Sequence, residues 1–187
     1  MSNPNHPKQT NTRLSPTSFV VLGLIGLRGP STPYELKRAA GRSVDLFWPF
    51  PHSQLYSEPQ RLASAGLLTE EREIGGRNRK TYRLTDAGRH ALSGWLANPT
   101  TEFLELRDMA LLQLFFSEFA SREEVIALAE SQLRSHRERL AFYETRETQG
   151  AARFGRSRRM AGFRLAILLE IAFIEFWAEI AANPPEK

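Results

Sequence analysis

The spacing of apolar positions changes several times along the chain, and each change marks an element. Phe19 to Leu27 form an apolar run. Ser15-Pro16 precedes it, a pair suited to the N-cap and first turn of a helix, and Gly29-Pro30 ends it. Thr32-Pro33-Tyr34-Glu35 repeats the start signal, with a Glu placed to return a bond to the cap. A second helix is therefore predicted over Tyr34 to about Ala40. Residues 42–51 are irregular and aromatic, with Phe47, Trp48, Pro49, Phe50 and Pro51 in succession. A third helix is predicted from His52 or Ser53 to Ala65, closed by Gly66. The period then shortens to that of strands. Leu67–Ile74 and Lys80–Leu84 flank Gly75-Gly76-Arg77-Asn78-Arg79, the tip of a β-hairpin. Thr85 caps a fourth helix from Asp86 to about Ala97, stopped at Asn98-Pro99.

The second half reads as helix throughout. Leu104 to Phe119 is apolar on nearly every side, so burial of the whole segment is expected. Ser121-Arg122-Glu123-Glu124 is a capping box that opens a long amphipathic helix reaching about Glu147. In it Ile126, Ala129, Leu133, His136, Leu140 and Tyr143 recur at alternating spacings of three and four, a short coiled-coil-like seam. Residues 150–162 form a basic connection rich in small residues, where Arg153, Arg156, Arg158 and Arg159 read as solvated, with phosphate contact as second choice. The last helix, about 160–182, is apolar on two faces: Phe163, Ile167, Ile174 and Trp177 on one, and Leu165, Leu169, Ala172, Phe176 and Ile180 on the other. Such a helix needs two partners, one of which can be a second subunit.

Composition narrows the function classes. The chain has 187 residues and no Cys, which excludes disulfide scaffolds, thiolate metal sites and a cysteine nucleophile and fits a reducing compartment. Glu170, Glu175 and Glu179 interrupt the most apolar stretch, which argues against a transmembrane segment. The first residues are polar and lack the apolar core of a signal peptide, so residues 1–13 read as a disordered tail and the protein as cytoplasmic. The net charge of +4 is mild, but its distribution is not. Residues 1–98 hold 13 Lys and Arg against 7 Asp and Glu; residues 99–187 hold 12 against 14. The excess of cations sits on the half with the hairpin, which suits nucleic acid.

Three helices, a hairpin and a fourth helix are the order of a winged helix-turn-helix. In that fold the third helix enters the major groove and the wing tip lies along the backbone or in the minor groove. The fold class is thus mainly α with a small β-hairpin: a winged helix over residues 14–98 and a helical dimerisation domain over 100–183. The third helix offers Ser53, Gln54, Tyr56, Ser57, Gln60 and Arg61 for base edges or phosphates, and the wing offers Arg77, Arg79 and Lys80. Tyr56 has packing inward as its alternative.

These residues carry a resemblance as well. His52-Ser53-Gln54-Leu55-Tyr56, Gln60-Arg61-Leu62, Gly66-Leu67-Leu68, Gly75 to Tyr82, and Leu84-Thr85-Asp86-Ala87-Gly88 resemble the PadR-like transcriptional regulators over about residues 15–97. Phe47-Trp48 and the long helical second half are similar to the branch with virulence-activator-type members. The resemblance implies a cytosolic homodimer on double-stranded DNA with a two-fold-related operator, usually a repressor, and in some members release by a small phenolic or hydrophobic compound. Pro59 departs from the family pattern, which has an apolar residue there. Proline inside a helix costs about 3 kcal/mol, so a kink or an irregular first turn is expected in the third helix.

Other chemistry is thinly supported. Trp48, Phe50 and Trp95 read as packing residues, with an effector pocket as the alternative. His136 reads as a hydrogen-bonded core histidine or, more sharply, as a pH- or ligand-responsive group. The four His lack metal-ligand spacing, and P-loop and Gly-x-Ser-x-Gly patterns are absent. No enzyme and no cofactor are expected. The reading from a different class is a winged helix that docks a protein instead of DNA.

Overall fold

The fold was analysed in a computed structural model that describes residues 13–73, 79–155 and 157–185. The chain divides into two compact units between Thr101 and Glu102, and each is described by itself.

The first unit contains α1 (Pro16–Arg28), α2 (Pro33–Ala40), α3 (Gln54–Ser64), the strands β1 (Leu68–Arg72) and β2 (Lys80–Leu84), and α4 (Asp86–Leu96). Local signals start the helices. Ser15 with Ser18, and Thr32 with Glu35, form reciprocal capping boxes, and each helix has Pro at its first position. A 3-10 turn, Val44–Leu46, lies in the aromatic segment before α3.

α3 starts two residues later than His52. Its opening turn is built from three-residue bonds, Leu55 N–H to the His52 carbonyl and Tyr56 N–H to the Ser53 carbonyl. Bonds of this kind are common at helix starts; Pro59 removes instead the bond to the Leu55 carbonyl, and α3 continues through it as one helix with Pro59 buried. At its far end Gly66 takes φ +75°. Gly66 N–H reaches the Ala63 carbonyl and Leu67 N–H the Leu62 carbonyl, a Schellman closure that turns the chain into β1.

β1 and β2 pair antiparallel, with Leu68 opposite Leu84 and Glu70 opposite Tyr82. Ser31 adds a bridge to the outer edge of β2 at Tyr82. The tip expected at 75–79 falls mostly on residues 74–78, outside the described residues. Thr85 then performs two tasks: its hydroxyl donates to the Gly66 carbonyl and accepts from Gly88 N–H. Gly88 lies so close to the Leu67 carbonyl and the Leu84 side chain that a Cβ has no room. That is a physical reason for the Leu-Thr-x-x-Gly spacing. The core joins Val21, Leu22 and Ile25 of α1 to Leu36, Leu55, Leu62, Leu68, Tyr82 and Leu84.

The second unit contains α5 (Met109–Phe115), α6 (Arg122–Phe154) and α7 (Ala161–Ala182). Here two expectations change. Leu104–Phe119 is not one buried helix. Asp108 caps Ala110 and Leu111 N–H, so α5 starts only at Met109. Ala110 is buried, but Phe103, Leu104, Leu106, Met109, Leu112, Phe115, Phe116 and Phe119 are exposed. An all-round apolar sequence says what prefers burial; one short helix against its own chain can bury only one side.

The second change is length. α6 does not stop near Glu147 but continues over residues expected to be a loop, ending at Gly155 with φ +59°. Gly150 permits this continuation to pack, since a Cβ there would strike the Met160 side chain. α6 and α7 form an antiparallel hairpin. Val125, Ala129, Leu133, His136 and Tyr143 are buried along α6, so the expected seam holds with Val125 added and with Ile126 and Leu140 at its half-buried margin. On α7, Trp177 is fully buried, whereas Leu165, Leu168, Leu169, Ile171 and Phe176 are 36–63% exposed.

Candidate nucleic-acid interface

α3 presents three faces, each with its own spacing. Leu55, Pro59 and Leu62 are buried in the core. Ser53, Tyr56, Ser57 and Gln60 are exposed and follow the three-four-seven spacing of one helix face. Tyr56 is 52% exposed and does not pack inward. Gln54, Glu58 and Arg61 form the third face, toward α1. The Thr17 hydroxyl donates to Gln54 Oε1 at 2.6 Å. The Ser18 hydroxyl donates to Glu58 Oε1 at 2.6 Å, and Arg61 Nη2 donates to Ser18 Oγ at 3.0 Å. Arg61 also reaches Glu58 with Nε at 2.8 Å and Nη2 at 2.6 Å. Burial pushes the Glu58 carboxyl up, but the bonds from Arg61 and Ser18 outweigh it and hold it below the ordinary range.

Gln54 and Arg61 thus differ from the other α3 candidates: both are held by their own protein. Thr17, Ser18 and Glu58 were missed because none stands out as a nucleic-acid residue. The available signal was Ser18 at the third position of its capping box, with Glu58 three residues before Arg61.

In the wing, Arg79 is exposed and Arg77 lies outside the described residues. Lys80 is half-buried and 3.3 Å from Glu70 Oε1, so it is shared with a neighbouring carboxylate. Hydrogen bonds from Arg72, Tyr82 and Lys80 hold Glu70 below the usual carboxylate range. In the aromatic segment before α3, His52 Nε2 is 2.5 Å from Asp45 Oδ2, and Phe50 meets the His52 ring edge-on. Trp48 is exposed, Phe50 packs against the core, and Trp95 stacks on Phe19 with ring centroids 4.6 Å apart. Two clefts in the second unit are lined by other residues, among them Met109, Phe116, Val125 and Leu128 in one and Phe115, Arg122 and Pro184 in the other.

Among the described residues no group of His, Asp and Glu could hold a metal ion, and no helix is long and apolar enough to cross a membrane. His136 lies in the α6–α7 seam, its Nδ1 2.6 Å from Glu170 Oε2 and its ring stacked on Phe173.

A two-stranded wing after three helices, with an outward polar face on the third, defines a winged helix DNA-binding protein. The comparisons with known proteins agree. The model of the transcriptional regulator PadR-like family matches residues 21–94, and that of the virulence activator alpha C-terminal region matches residues 106–181. The negative transcriptional regulator PadR of Bacillus subtilis is 29% identical over 125 residues, which cover 66% of this chain and 68% of that protein. Its crystal structure with operator DNA superposes with a TM-score of 0.80 at 24% identity, covering 91% of this chain and 98% of the other. Its complex with p-coumaric acid gives 0.75 at 22% identity, covering 94% and 100%. The Vibrio cholerae virulence activator AphA gives 0.67 at 25% identity, covering 89% and 96%. The chain belongs to the PadR-like family of transcriptional regulators.

Proposed function

We propose that this chain is a homodimeric repressor that binds a two-fold-related operator through α3 and the wing and is released by a small aromatic or hydrophobic effector. The observation that carries the reading is the exposed face Ser53, Tyr56, Ser57 and Gln60, on a helix fixed to α1 by side-chain bonds. Polar side chains on a rigid helix read base edges; cations beside them neutralise phosphates. Ser53, Tyr56, Ser57 and Gln60 are the direct contacts, and Arg77, Arg79 and Lys80 approach the backbone. Gln54 contributes its outer amide end, and Arg61 an edge of a guanidinium already engaged with Glu58.

Repression and an effector are supported by the Bacillus subtilis relative, a negative regulator solved with operator DNA and with p-coumaric acid. Trp48, Phe50 and Trp95 are the aromatic side chains assigned to that effector, Trp48 and Trp95 being partly exposed and Trp95 stacked on Phe19. A dimer is supported by the uncovered apolar face of α7. The reading contains no catalytic step and no cofactor, and it places the protein in the cytoplasm with the DNA it regulates.

The test is a gel-shift titration on duplex DNA from upstream of its own gene, at several salt concentrations. Arg77→Ala with Arg79→Ala is expected to weaken binding and lower the salt slope by about 2, one for each phosphate that is no longer neutralised. Unchanged affinity and slope would remove the wing from the interface.

A further inference from the structure

Thr17 belongs to α1 and Gln54 is the first residue of α3, yet a 2.6 Å hydrogen bond joins their side chains. Thr17 is nearly buried, at 9% exposure, while Gln54 is exposed. The Gln54 backbone is fixed as well, since its N–H donates to the Pro51 carbonyl at 3.0 Å. One turn further on, Ser18, Glu58 and Arg61 tie the same two helices together. The Gln54 amide is therefore oriented: the Thr17 hydroxyl takes one of the two lone pairs of its oxygen and turns that oxygen toward α1, which makes the NH2 group the end better placed for an outside partner.

This orientation matters for base reading. A free glutamine recognises adenine with both ends of its amide, accepting from N6 and donating to N7. A glutamine whose oxygen is held by the protein offers donors. Donors match an edge made of acceptors, and guanine presents two, N7 and O6, in the major groove. We propose that Thr17 is a specificity-setting residue: by holding the amide oxygen of Gln54, it makes that side chain read guanine in preference to adenine at one base pair of each half-site. Thr17 itself is a positioning residue and touches no DNA. The inference rests on the reading of α3 as the DNA-facing helix and adds what one of its side chains reads.

The experiment is selection of the full-length protein on a randomised duplex library, with base preference scored at every position. Wild type is expected to enrich guanine at one position of each half-site, and Gln54→Ala to lose that preference. Thr17→Val keeps the branched shape without the donor; it is expected to shift that single position toward adenine by about fivefold, the low end of the discrimination carried by a bidentate side chain–base pair. Thr17→Ser restores the hydroxyl and is expected to restore guanine. A purely structural Thr17 would lower affinity evenly across positions, and this outcome overturns the proposal. So does a Thr17→Val profile equal to wild type, or a Gln54→Ala profile without a changed position. Selective enrichment by wild type in those cases leaves the DNA-binding reading standing. Failure of wild type to enrich any sequence overturns both.

Discussion

Tyr82 concentrates several tasks in one side chain. Its ring is buried at 1% exposure, its backbone pairs with Ser31, and its hydroxyl donates to Glu70 Oε2 at 3.0 Å. Burial and then the bond to Glu70 push its phenol up to about 12, from an ordinary value near 10. A raised value in the folded state means that the unfolded chain loses this proton first. Stability from Tyr82 is then complete below pH 10 and falls as pH rises from 10 to about 12. Tyr82→Phe is expected to cost some stability at pH 8, where a hydrogen bond is lost, and to reduce the decline between pH 10 and 12. Denaturant midpoints measured across that range check the sign: a mutant declining as steeply as wild type would show that Tyr82 is not the group responsible. The sequence placed Tyr82 in a strand and in the motif. It could not place Glu70 beside the hydroxyl, because that pairing follows from the hairpin register.

At the scale of elements, legibility followed locality. The caps of α1, α2, α4 and α6 depend on residues within four positions of each other, and each was readable. The Schellman closure of α3 at Gly66 was readable for the same reason. The start of α5 is the exception, since its Asp108 cap on Ala110 and Leu111 is as local as the others but is masked by the apolar run around it; the continuation of α6 past Glu147 was not readable, because Gly150 matters through the Met160 side chain it meets in the fold. The polar face of α3 is the same kind of case: six candidate contacts were legible as types, but their division between the outward face and the α1 face depends on α1.

The α6–α7 hairpin supplies the clearest energetic case. Glu170 read as a residue that excludes a membrane span; in the fold it is 2% exposed and paired with His136 and with Arg139 Nη2 at 2.9 Å. Removing one member of a buried pair strands the other, whereas replacing both with apolar side chains can be neutral. Glu170→Met is expected to destabilise the protein by about 1–3 kcal/mol, the cost of leaving the buried His136 ring nitrogen without its partner, and the double variant His136→Leu/Glu170→Met to recover most of that loss. Thermal unfolding of the single and double variants measures the coupling. Additive losses would show that the pair does not act as a unit.

The whole molecule carries its remaining information in what a single chain leaves uncovered. α7 was expected to need two partners because it is apolar on two faces. α6 covers the first, through Trp177, Ile174 and Phe173. Of the second, Ile180 packs against the same cluster as Trp177, while Leu165, Leu169 and Phe176, joined by Leu168, remain 36–63% exposed. Side chains of this size in one row are costly to leave in water, and a two-fold axis lets one such row cover its own copy. The same symmetry would duplicate α3, so that two half-sites are read together and the weak discrimination of each is multiplied. Leu165→Glu with Leu168→Glu places two carboxylates in that row without touching the buried face. Wild type is expected to sediment as a dimer, and the variant to raise the dimer dissociation constant at least about 100-fold, as burial of unpaired charge would require. Helix content by circular dichroism is expected to stay unchanged, and binding to a two-half-site duplex to fall together with dimerisation. A wild-type protein that sediments as a monomer at micromolar concentration, or a variant dimer as tight as wild type, would show that the α7 row is not the subunit contact.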